Sequence, residues 1–462
     1  MVNPNIFREY DIRGIVGQDL TEQVAELIGK AFGTLMRRQG LKKMSVGHDV
    51  RLSSESLKNA IVRGLTSTGC DVMDIGLVPT PVFYFSIVHL STEGGIMVTG
   101  SHNPIEYNGF KMNRGNGSVY GQEIQQLYQL IKAGDFESGV GKTQQAEILS
   151  AYFRMLKSKF NFEKKLKIVI DAGNGTAGLL APQFFREMGM EVECLYCEPD
   201  GHFPNHLPDP TVMEYIQDLR RKVREWKADV GIGYDGDSDR IGAIDNTGRV
   251  VFADKLLTIF SRDLLSRQPG AKIIFDVKCS QSLPEEIEKY GGVPLMWKTG
   301  HALIKAKLKE EQALLAGEMS GHIFFAENYH GYDDAIFASA KLVEILSKSP
   351  KSFTELVDEI PSFYSTPEIR VECSEEEKFL IVKEISEHFR KQYRTIDVDG
   401  VRVLFGDGWG LLRASNTQPV LVLRFEAKTE ERLHQIIDIF LDKLQHYHSV
   451  QINRKDFTIV KG

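Results

Sequence analysis

The 462-residue sequence contains no apolar run that approaches the ~20 residues a membrane-spanning helix needs, and its N-terminus, MVNPNIFREYDIRG, lacks the apolar core of a signal peptide. Its five cysteines are an odd and scattered set, which is typical of reduced thiols rather than of a disulfide framework. Lys and Arg number 56 against 63 Asp and Glu, the net charge is -7, and no basic stripe is present that would follow a nucleic-acid backbone. These absences predict a cytoplasmic protein that binds neither a membrane nor nucleic acid.

A repeated pattern organises the first 360 residues. Three segments each read as an apolar strand, an aspartate at its end, a loop with hydroxyl residues, an amphipathic helix, a glycine and a second strand. Each segment is typical of a β-α-β crossover and predicts a mixed, largely parallel α/β layer. The equivalent residues are the aspartates Asp49, Asp171 and Asp276 and the glycines Gly69, Gly189 and Gly291.

The last hundred residues have a different pattern, with short strands joined by glycine turns and a helix at either end. This pattern favours an antiparallel α+β domain. We therefore predict three related α/β domains, over residues 1–147, 148–250 and 251–363, and a fourth, α+β domain over residues 364–462.

Three aspartates alternate in VGIGYDGDSDRIGAID, residues 230 to 245. An extended loop would point the carboxylates of Asp235, Asp237 and Asp239 the same way, and such a set is stable only around a cation. Oxygen-only ligation by few side chains suits Mg²⁺. Calcium in an EF-hand is excluded because Arg240 and Asn246 occupy the sixth and twelfth positions; the structural alternative is a solvated acidic turn.

Two other motifs have weaker support. GNGTAG, residues 173 to 178, matches the dinucleotide fingerprint and has Glu198 downstream, so a dehydrogenase is an alternative; however, Glu198 lies in a loop, and the equivalent loops of the other repeats are not glycine-rich. Four zinc ligands are offered by CLYCEPDGHFPNH, but their spacing is too short for a zinc finger, and a connecting loop is the better interpretation. Those ligands are Cys194, Cys197, His202 and His206.

The stretch VTGSHNP, residues 98 to 104, ends an apolar strand in glycine and polar residues. This places Ser101 on a loop at a sheet edge, where its hydroxyl can meet a ligand. We expect no direct pair between Ser101 and His102, because neighbours in an extended chain point to opposite faces.

Four motifs together resemble the active-site motifs of the α-D-phosphohexomutases, in the same order along the whole chain. These are GSHNP (100 to 104), DGDSDR (235 to 240), GEMSGH (317 to 322) and RASNTQP (413 to 419), with PDGHFPNHLPDP (199 to 210) as a further signature. The methionine in GEMSGH is more similar to the bacterial phosphomannomutase/phosphoglucomutase branch than to phosphoglucosamine mutase. The resemblance implies four domains around a central active-site cleft.

The resemblance also implies roles at the reacting centre. Ser101 would be the phosphorylated serine, and one Mg²⁺ per chain would be held by its phosphate together with Asp235, Asp237 and Asp239. Arg240 can reach the transferring phosphoryl oxygens, with a salt bridge to the aspartates as the structural alternative. Proton transfer would fall to Lys111 and His301, and Lys111 would need a depressed pKa for it.

Further residues are expected to bind the substrate. Arg413, Ser415, Asn416 and Thr417 can converge from one turn on a tetrahedral anion, although a simple hairpin loop is the alternative; the resemblance makes this turn the site of the non-transferring phosphate. It also implies that Glu318 and Ser320 contact sugar hydroxyls. Tyr10, Arg13 and Lys278 match other cleft positions.

The activity so implied is reversible phosphoryl transfer between hexose 1-phosphate and hexose 6-phosphate, of mannose or glucose. A hexose 1,6-bisphosphate would be both the intermediate and the activator. Small hexose phosphates would be the only binding partners. We expect a monomer, with a dimer as the alternative. The alternatives are a phosphoglucosamine mutase, a metal-dependent phosphatase and a catalytically silent sugar-phosphate binding protein.

Overall fold

The computed structural model describes residues 2–415 and 418–461, and its strands form four sheets. Three sheets mix parallel and antiparallel pairs, and in the fourth every recorded pair of strands is antiparallel. The predicted fold class, three related α/β domains and one α+β domain around a cleft, is confirmed. We call the units built on these sheets domains 1 to 4.

Domain 1 contains a seven-stranded sheet and four helices. Its elements are β1 (Ile12–Ile15), α1 (Glu22–Arg38), β2 (Lys43–His48), α2 (Ser54–Ser67), β3 (Asp71–Leu77), α3 (Thr80–His89), β4 (Gly94–Val98), β5 (Tyr107–Arg114), β6 (Gly117–Ser118), α4 (Gln122–Ala133) and β7 (Thr143–Gln145). The strand order is β1-β5-β4-β2-β3-β7, with β6 paired to β5. Helices α1 and α2 pack closely through Gly29 and Gly64: a Cβ on Gly64 would lie 2.3 Å from the Glu26 carbonyl oxygen.

Domain 2 has a five-stranded sheet in the order β12-β11-β10-β8-β9. Its elements are α5 (Leu149–Lys159), β8 (Lys167–Asp171), α6 (Ala181–Glu187), β9 (Glu191–Leu195), α7 (Gln217–Trp226), β10 (Val230–Tyr234), β11 (Ile241–Asp245) and β12 (Val250–Val251). The aspartate-rich loop connects the antiparallel pair β10 and β11. This sheet continues one residue past the predicted boundary at 250.

Domain 3 has a four-stranded sheet in the order β14-β13-β15-β16. Its elements are α8 (Ala253–Arg267), β13 (Lys272–Asp276), α9 (Ser282–Lys289), β14 (Val293–Trp297), α10 (His301–Glu311), β15 (Leu315–Gly317), β16 (Ile323–Phe325), α11 (Ala335–Lys348) and α12 (Phe353–Asp358). The GEMSGH motif forms the turn between β15 and β16.

Domain 4 has two long helices packed against its antiparallel sheet. Its elements are β17 (Tyr364–Ser365), β18 (Ile369–Glu372), α13 (Lys378–Arg390), β19 (Arg394–Ile396), β20 (Val401–Leu404), β21 (Gly408–Ala414), β22 (Val420–Ala427), α14 (Glu430–Leu444) and β23 (Val460–Lys461). The C-terminal segment returns to the start of the domain, where β23 pairs with β17.

A continuous apolar core joins domains 1, 2 and 3, whereas domain 4 has its own. Phe85 of α3 contacts Tyr152 of α5 with ring centroids 5.5 Å apart, and Phe160 contacts Phe337 of α11 at 4.8 Å. The loops of the first three domains are therefore fixed relative to one another. Among the described residues, no helix has both the length and the apolar character to cross a membrane.

Candidate active site

A cleft of about 1080 Å³ lies between the four domains, and each domain contributes to its wall. Most of the residues predicted as site residues from the sequence lie along this cleft: Tyr10, Arg13, Ser101, Lys111, Arg240, Lys278, His301, Glu318, Ser320, Arg413 and Ser415. The three aspartates are fully buried. Asn416 and Thr417, the other two predicted phosphate ligands, lie outside the described residues.

The Ser101 loop is held by two buried side chains that follow β2. Asp49 Oδ2 accepts hydrogen bonds from the Gly100 amide at 3.0 Å and from the Thr99 hydroxyl at 2.9 Å. Arg51 donates to the carbonyl oxygens of Ser101 and Pro104 at 2.9 and 2.7 Å. The aspartate of the first repeat therefore orients the loop, and Arg51, which the sequence did not single out, fixes its backbone.

The expectation that Ser101 and His102 do not pair is wrong. The Ser101 hydroxyl oxygen lies 2.9 Å from His102 Nδ1, and it donates to Asp235 Oδ2 at 2.7 Å. The physical reason is the backbone: Ser101 has φ +47°, in the left-handed region, so the alternation of an extended chain does not apply. Burial and the neighbouring Arg240 and Arg13 hold the pKa of His102 well below its usual value.

The three aspartates converge as predicted, with one carboxylate oxygen of each within 4.8 Å of the others. Burial and the charges of Asp239 and Asp237 raise the pKa of Asp235 well above its usual value. For Asp237, burial and Asp239 favour the neutral acid, but Lys111 outweighs them and the pKa is lowered. Lys111 Nζ donates to Asp237 Oδ2 at 2.7 Å and also to Asp239.

The donor set fits a hard cation. Asp237 Oδ1 is buried and has no hydrogen-bond partner among the described residues, which is unfavourable for an ionised oxygen unless a cation completes it. Asp235 Oδ2 is shared with the Ser101 hydroxyl, so a phosphate on Ser101 would adjoin the same oxygens. Carboxylate and phosphate oxygens are the ligands that Mg²⁺ prefers.

Domain 1 and another turn of domain 2 support the aspartate loop. Thr80, the first residue of α3, donates its hydroxyl to Asp237 Oδ2 at 2.7 Å and its amide to the Asp237 carbonyl oxygen at 2.9 Å. Thr176 donates its amide to the Gly236 carbonyl oxygen at 3.0 Å. Thr176 belongs to GNGTAG, and a Cβ on Gly175 would lie 2.8 Å from that same carbonyl oxygen. The glycine-rich turn thus packs against the aspartate loop, where a dinucleotide phosphate would otherwise bind.

The cysteine–histidine cluster is not brought together as a metal site. His206 Nε2 lies 3.2 Å from Asp171 Oδ2, and His202 Nδ1 lies 2.8 Å from Asp200 Oδ1. Within residues 2–415 and 418–461, the ligand groups close enough to hold a metal are the aspartate triad and the set Asp239, His322 and Asp333.

Comparisons with known proteins agree with this geometry. Family models described as phosphoglucomutase/phosphomannomutase match residues 4–138 (alpha/beta/alpha domain I), 150–248 (domain II), 252–364 (domain III) and 368–443 (C-terminal domain). The chain belongs to the phosphoglucomutase/phosphomannomutase family.

Relatives within this family cover nearly the whole chain. The phosphomannomutase/phosphoglucomutase of Pseudomonas putida is 48% identical over 441 residues, 95% of each chain, and that of Pseudomonas aeruginosa PAO1 is 48% identical over 442 residues, 96% of each. A crystal structure of a family protein from Burkholderia thailandensis superposes with a TM-score of 0.91 at 41% identity, covering 96% of this chain and 98% of that one.

Two histidines of domain 3 face each other across this phosphohexomutase cleft, with ring centroids 5.6 Å apart. His301 begins α10, and burial with the nearby Lys305 holds its pKa well below the usual value. His322 lies between two carboxylates, with Glu318 Oε2 at 3.0 Å and Asp239 Oδ1 at 3.3 Å. Burial opposes the charged imidazolium, but the negative charge of Asp239 outweighs burial and raises the pKa of His322 to about 9. His322 was missed as a site residue, although it ends the GEMSGH motif that was quoted.

Arg240 and Ser320 both contact His322. Arg240 Nε lies 3.3 Å from His322 Nε2, and the Ser320 hydroxyl lies 3.1 Å from His322 Nδ1. The alternative of a salt bridge from Arg240 to the triad is not recorded among the described residues, and its guanidinium lines the cleft. Glu318 Oε1 accepts from the Gly300 amide at 2.6 Å, which links the GEMSGH turn to the start of α10.

Three predicted cationic ligands are held by carboxylates. Lys278 Nζ donates to Glu368 Oε2 at 2.9 Å, and Arg413 Nε donates to Asp399 Oδ2 at 2.8 Å. Arg13 donates to Asp11 at 2.7 Å and to the Gly100 carbonyl oxygen at 3.3 Å. These three cations therefore lie in the cleft with their orientations fixed by protein partners.

Proposed function

We propose that this phosphohexomutase interconverts hexose 1-phosphate and hexose 6-phosphate, with both glucose and mannose as substrates. The observation that carries the proposal is the position of the Ser101 hydroxyl, 2.7 Å from Asp235 Oδ2, at the point where the loops of domains 1 and 2 meet in the cleft. A serine in that position can exchange a phosphoryl group with a bound sugar.

Phospho-Ser101 donates its phosphoryl group to the free hydroxyl of the sugar. The bond between phosphorus and Ser101 Oγ breaks, a bond to the sugar oxygen forms, the sugar hydroxyl proton passes to a base, and Ser101 Oγ takes up a proton to leave as a hydroxyl. Asp235, Asp237 and Asp239 would hold Mg²⁺, which supplies neutralisation of phosphoryl charge when bound. The Arg240 guanidinium binds the transferring oxygens from the other side.

We assign the proton transfer to His301, with Lys111 as the alternative. Among the protein groups alone, burial opposes the charge on Lys111, but Asp237 and Asp239 outweigh it and the pKa is raised. Mg²⁺ held by the same aspartates would act on this pKa in the opposite direction. His301 is held neutral and faces the cleft, so its imidazole can accept the proton of the sugar hydroxyl.

The bisphosphate product then turns around, so that its other phosphate returns to Ser101. Glu318 and Ser320 bind sugar hydroxyls that both orientations present, and Arg413 with its turn binds whichever phosphate is not reacting. A hexose 1,6-bisphosphate would phosphorylate a protein that has lost its phosphate. We further propose a cytoplasmic monomer with one Mg²⁺ per chain.

A coupled assay tests this proposal. Mannose 1-phosphate, glucose 1-phosphate and glucosamine 1-phosphate are each given to the wild type and to Ser101→Ala, with Mg²⁺ and a trace of glucose 1,6-bisphosphate. We expect turnover of the first two sugars and at least ~1000-fold less with the variant, because the group that carries the phosphoryl is lost. Preference for the amino sugar would indicate a phosphoglucosamine mutase, and tight binding without turnover a silent sugar-phosphate binder.

A further inference from the structure

The sheet of domain 4 presents two different faces at β20, β21 and β22. Val401 and Val403 point into the apolar core under α13 and α14, so Arg402 between them points the other way, towards domain 3. Arg402 lies directly opposite Leu411, and Leu411 directly opposite Arg424, across the three strands. Two arginines thus lie in one row on the face that docks on domain 3.

Arg402 is a buried cation of an unusual kind. It is 0% exposed, and in the described parts of the chain it forms no ion pair with a carboxylate. Its guanidinium lies over the Trp409 ring, 3.7 Å from the centroid, and burial lowers its pKa to about 10. Burying an arginine without a carboxylate is unfavourable unless its donors are used by well-placed acceptors.

Those acceptors belong to one short segment of domain 3. Arg402 Nη1 donates to the carbonyl oxygens of Val277 at 2.7 Å and Cys279 at 2.8 Å. Arg424 Nη1 donates to the carbonyl oxygen between them, that of Lys278. Three successive carbonyls of domain 3 are therefore held by two arginines of domain 4.

The middle residue of that segment is a cleft residue. Lys278 lines the cleft, and its ammonium group donates to Glu368, which lies between β17 and β18 of domain 4. Apolar contact alone would be enough to hold domains 3 and 4 together, and Val277, Trp409 and Leu411 provide such a contact. The two arginines add a fixed backbone position for Lys278, which apolar contact does not give.

We infer that Arg402 and Arg424 are positioning residues through which domain 4 sets the place of Lys278 in the cleft. This inference rests on the proposed function in one respect: Lys278, which the family resemblance predicts to bind the substrate, must contact the sugar phosphate. Arg402 is fully buried and does not line the cleft, whereas Arg424 also borders it; both act on Lys278 through its backbone.

The test is a double-mutant cycle on the full-length protein. The dissociation constant of glucose 6-phosphate is measured by calorimetry for the wild type, Arg402→Met, Lys278→Ala and the double variant, together with kcat where turnover is measurable. We expect Arg402→Met to weaken binding about 10-fold in the wild type but by less than about 2-fold once Lys278 is alanine. Arg402→Lys, which keeps the charge but not the planar fork, should recover only part of the loss.

Two controls separate this coupling from a loose interface. Arg432→Met removes a domain 4 arginine that pairs with Asp407 away from domain 3, and it should leave binding unchanged. Arg424→Lys, which alters the bond to the Lys278 carbonyl directly, should repeat the behaviour of Arg402→Met without removing the guanidinium over Trp409. Amide hydrogen exchange of a peptide that spans residues 277–281 should become faster in Arg402→Met and in Arg424→Lys, while the strands of domain 4 keep their protection.

Equal weakening by Arg402→Met in both backgrounds would overturn the inference, because the arginine would then act on domain 4 as a whole. Unchanged binding in Arg402→Met would overturn it as well. If the wild type bound glucose 6-phosphate but turned over no hexose phosphate, the proposed function would be wrong. The double-mutant cycle would still measure the coupling between Arg402 and Lys278, because it depends only on binding.

Discussion

At the scale of single residues, burial decides which ionisable groups keep their charge. Asp334 is the N-cap of α11, and its Oδ1 accepts from the Phe337 amide at 2.8 Å. Its Oδ2 accepts from the hydroxyls of Tyr152 at 2.7 Å and Tyr329 at 2.6 Å. Burial outweighs these three bonds and raises the pKa of Asp334 to about 6. The folded protein therefore binds this proton more tightly than the unfolded chain does.

Asp334→Asn should make the protein less sensitive to pH. Because the pKa is raised on folding, wild-type stability falls as the pH rises from about 4 to about 6, where the unfolded chain ionises first. The free energy of unfolding of the variant should therefore gain about 2 kcal/mol relative to the wild type between pH 4 and pH 7. Urea unfolding at the two pH values measures this, and a difference that is the same at both would contradict it.

Single side chains were predictable from the sequence where a strand end or a motif identified them. Ser101 and the three aspartates follow apolar strands, and the structure brings them together. His102 was misjudged because a left-handed backbone at a serine leaves no sign in the sequence. Arg51 and Thr80 were missed because each meets the site through distant segments, with no local pattern to mark them.

At the scale of elements, the repeated β-α-β unit was the strongest signal. Gly69, Gly189 and Gly291 each follow a helix and have φ of +83°, +88° and +79°, the left-handed turn that favours glycine. The two strands within each unit pair in parallel with one another. The C-terminal segment had no such signal, and its pairing with β17 depends on long-range contact.

The start of α3 should determine how well the aspartate loop binds its cation. Thr80→Val keeps the shape of the side chain but removes the hydroxyl that donates to Asp237 Oδ2. Mutating a residue that hydrogen-bonds to a metal ligand typically lowers metal affinity about 10- to 100-fold. We therefore expect the Mg²⁺ concentration that gives half-maximal activity to rise about 10-fold or more.

Thr92→Val is the matched control, because the Thr92 hydroxyl is buried beside that of Ser45, at 3.0 Å, away from the aspartate loop. This variant should keep the wild-type Mg²⁺ requirement. An unchanged requirement in Thr80→Val, or an equal rise in both variants, would show that Thr80 does not orient Asp237.

At the scale of the whole molecule, the cleft exists because four domains place one loop each around the same space. Domains 1 to 3 share a core, so the Ser101 loop, the aspartate loop and the GEMSGH turn keep their relative positions. Domain 4 has a separate core, and its contacts with domain 3 include a small apolar patch, the two arginines and the pair Lys278–Glu368. The sequence predicted the four domains and their class, but not this division of the core, which depends on how helix faces meet in three dimensions.

The central claim is that Ser101 carries the phosphoryl group, and phosphorylation mapping tests it most directly. The dephosphorylated protein is incubated with glucose 1,6-bisphosphate and Mg²⁺, and its peptides are sequenced by tandem mass spectrometry alongside those of Ser101→Ala. We predict one added phosphoryl group, on Ser101, with release of glucose monophosphate, and none in the variant. Phosphate on another residue, or mutase turnover by Ser101→Ala, would contradict the account.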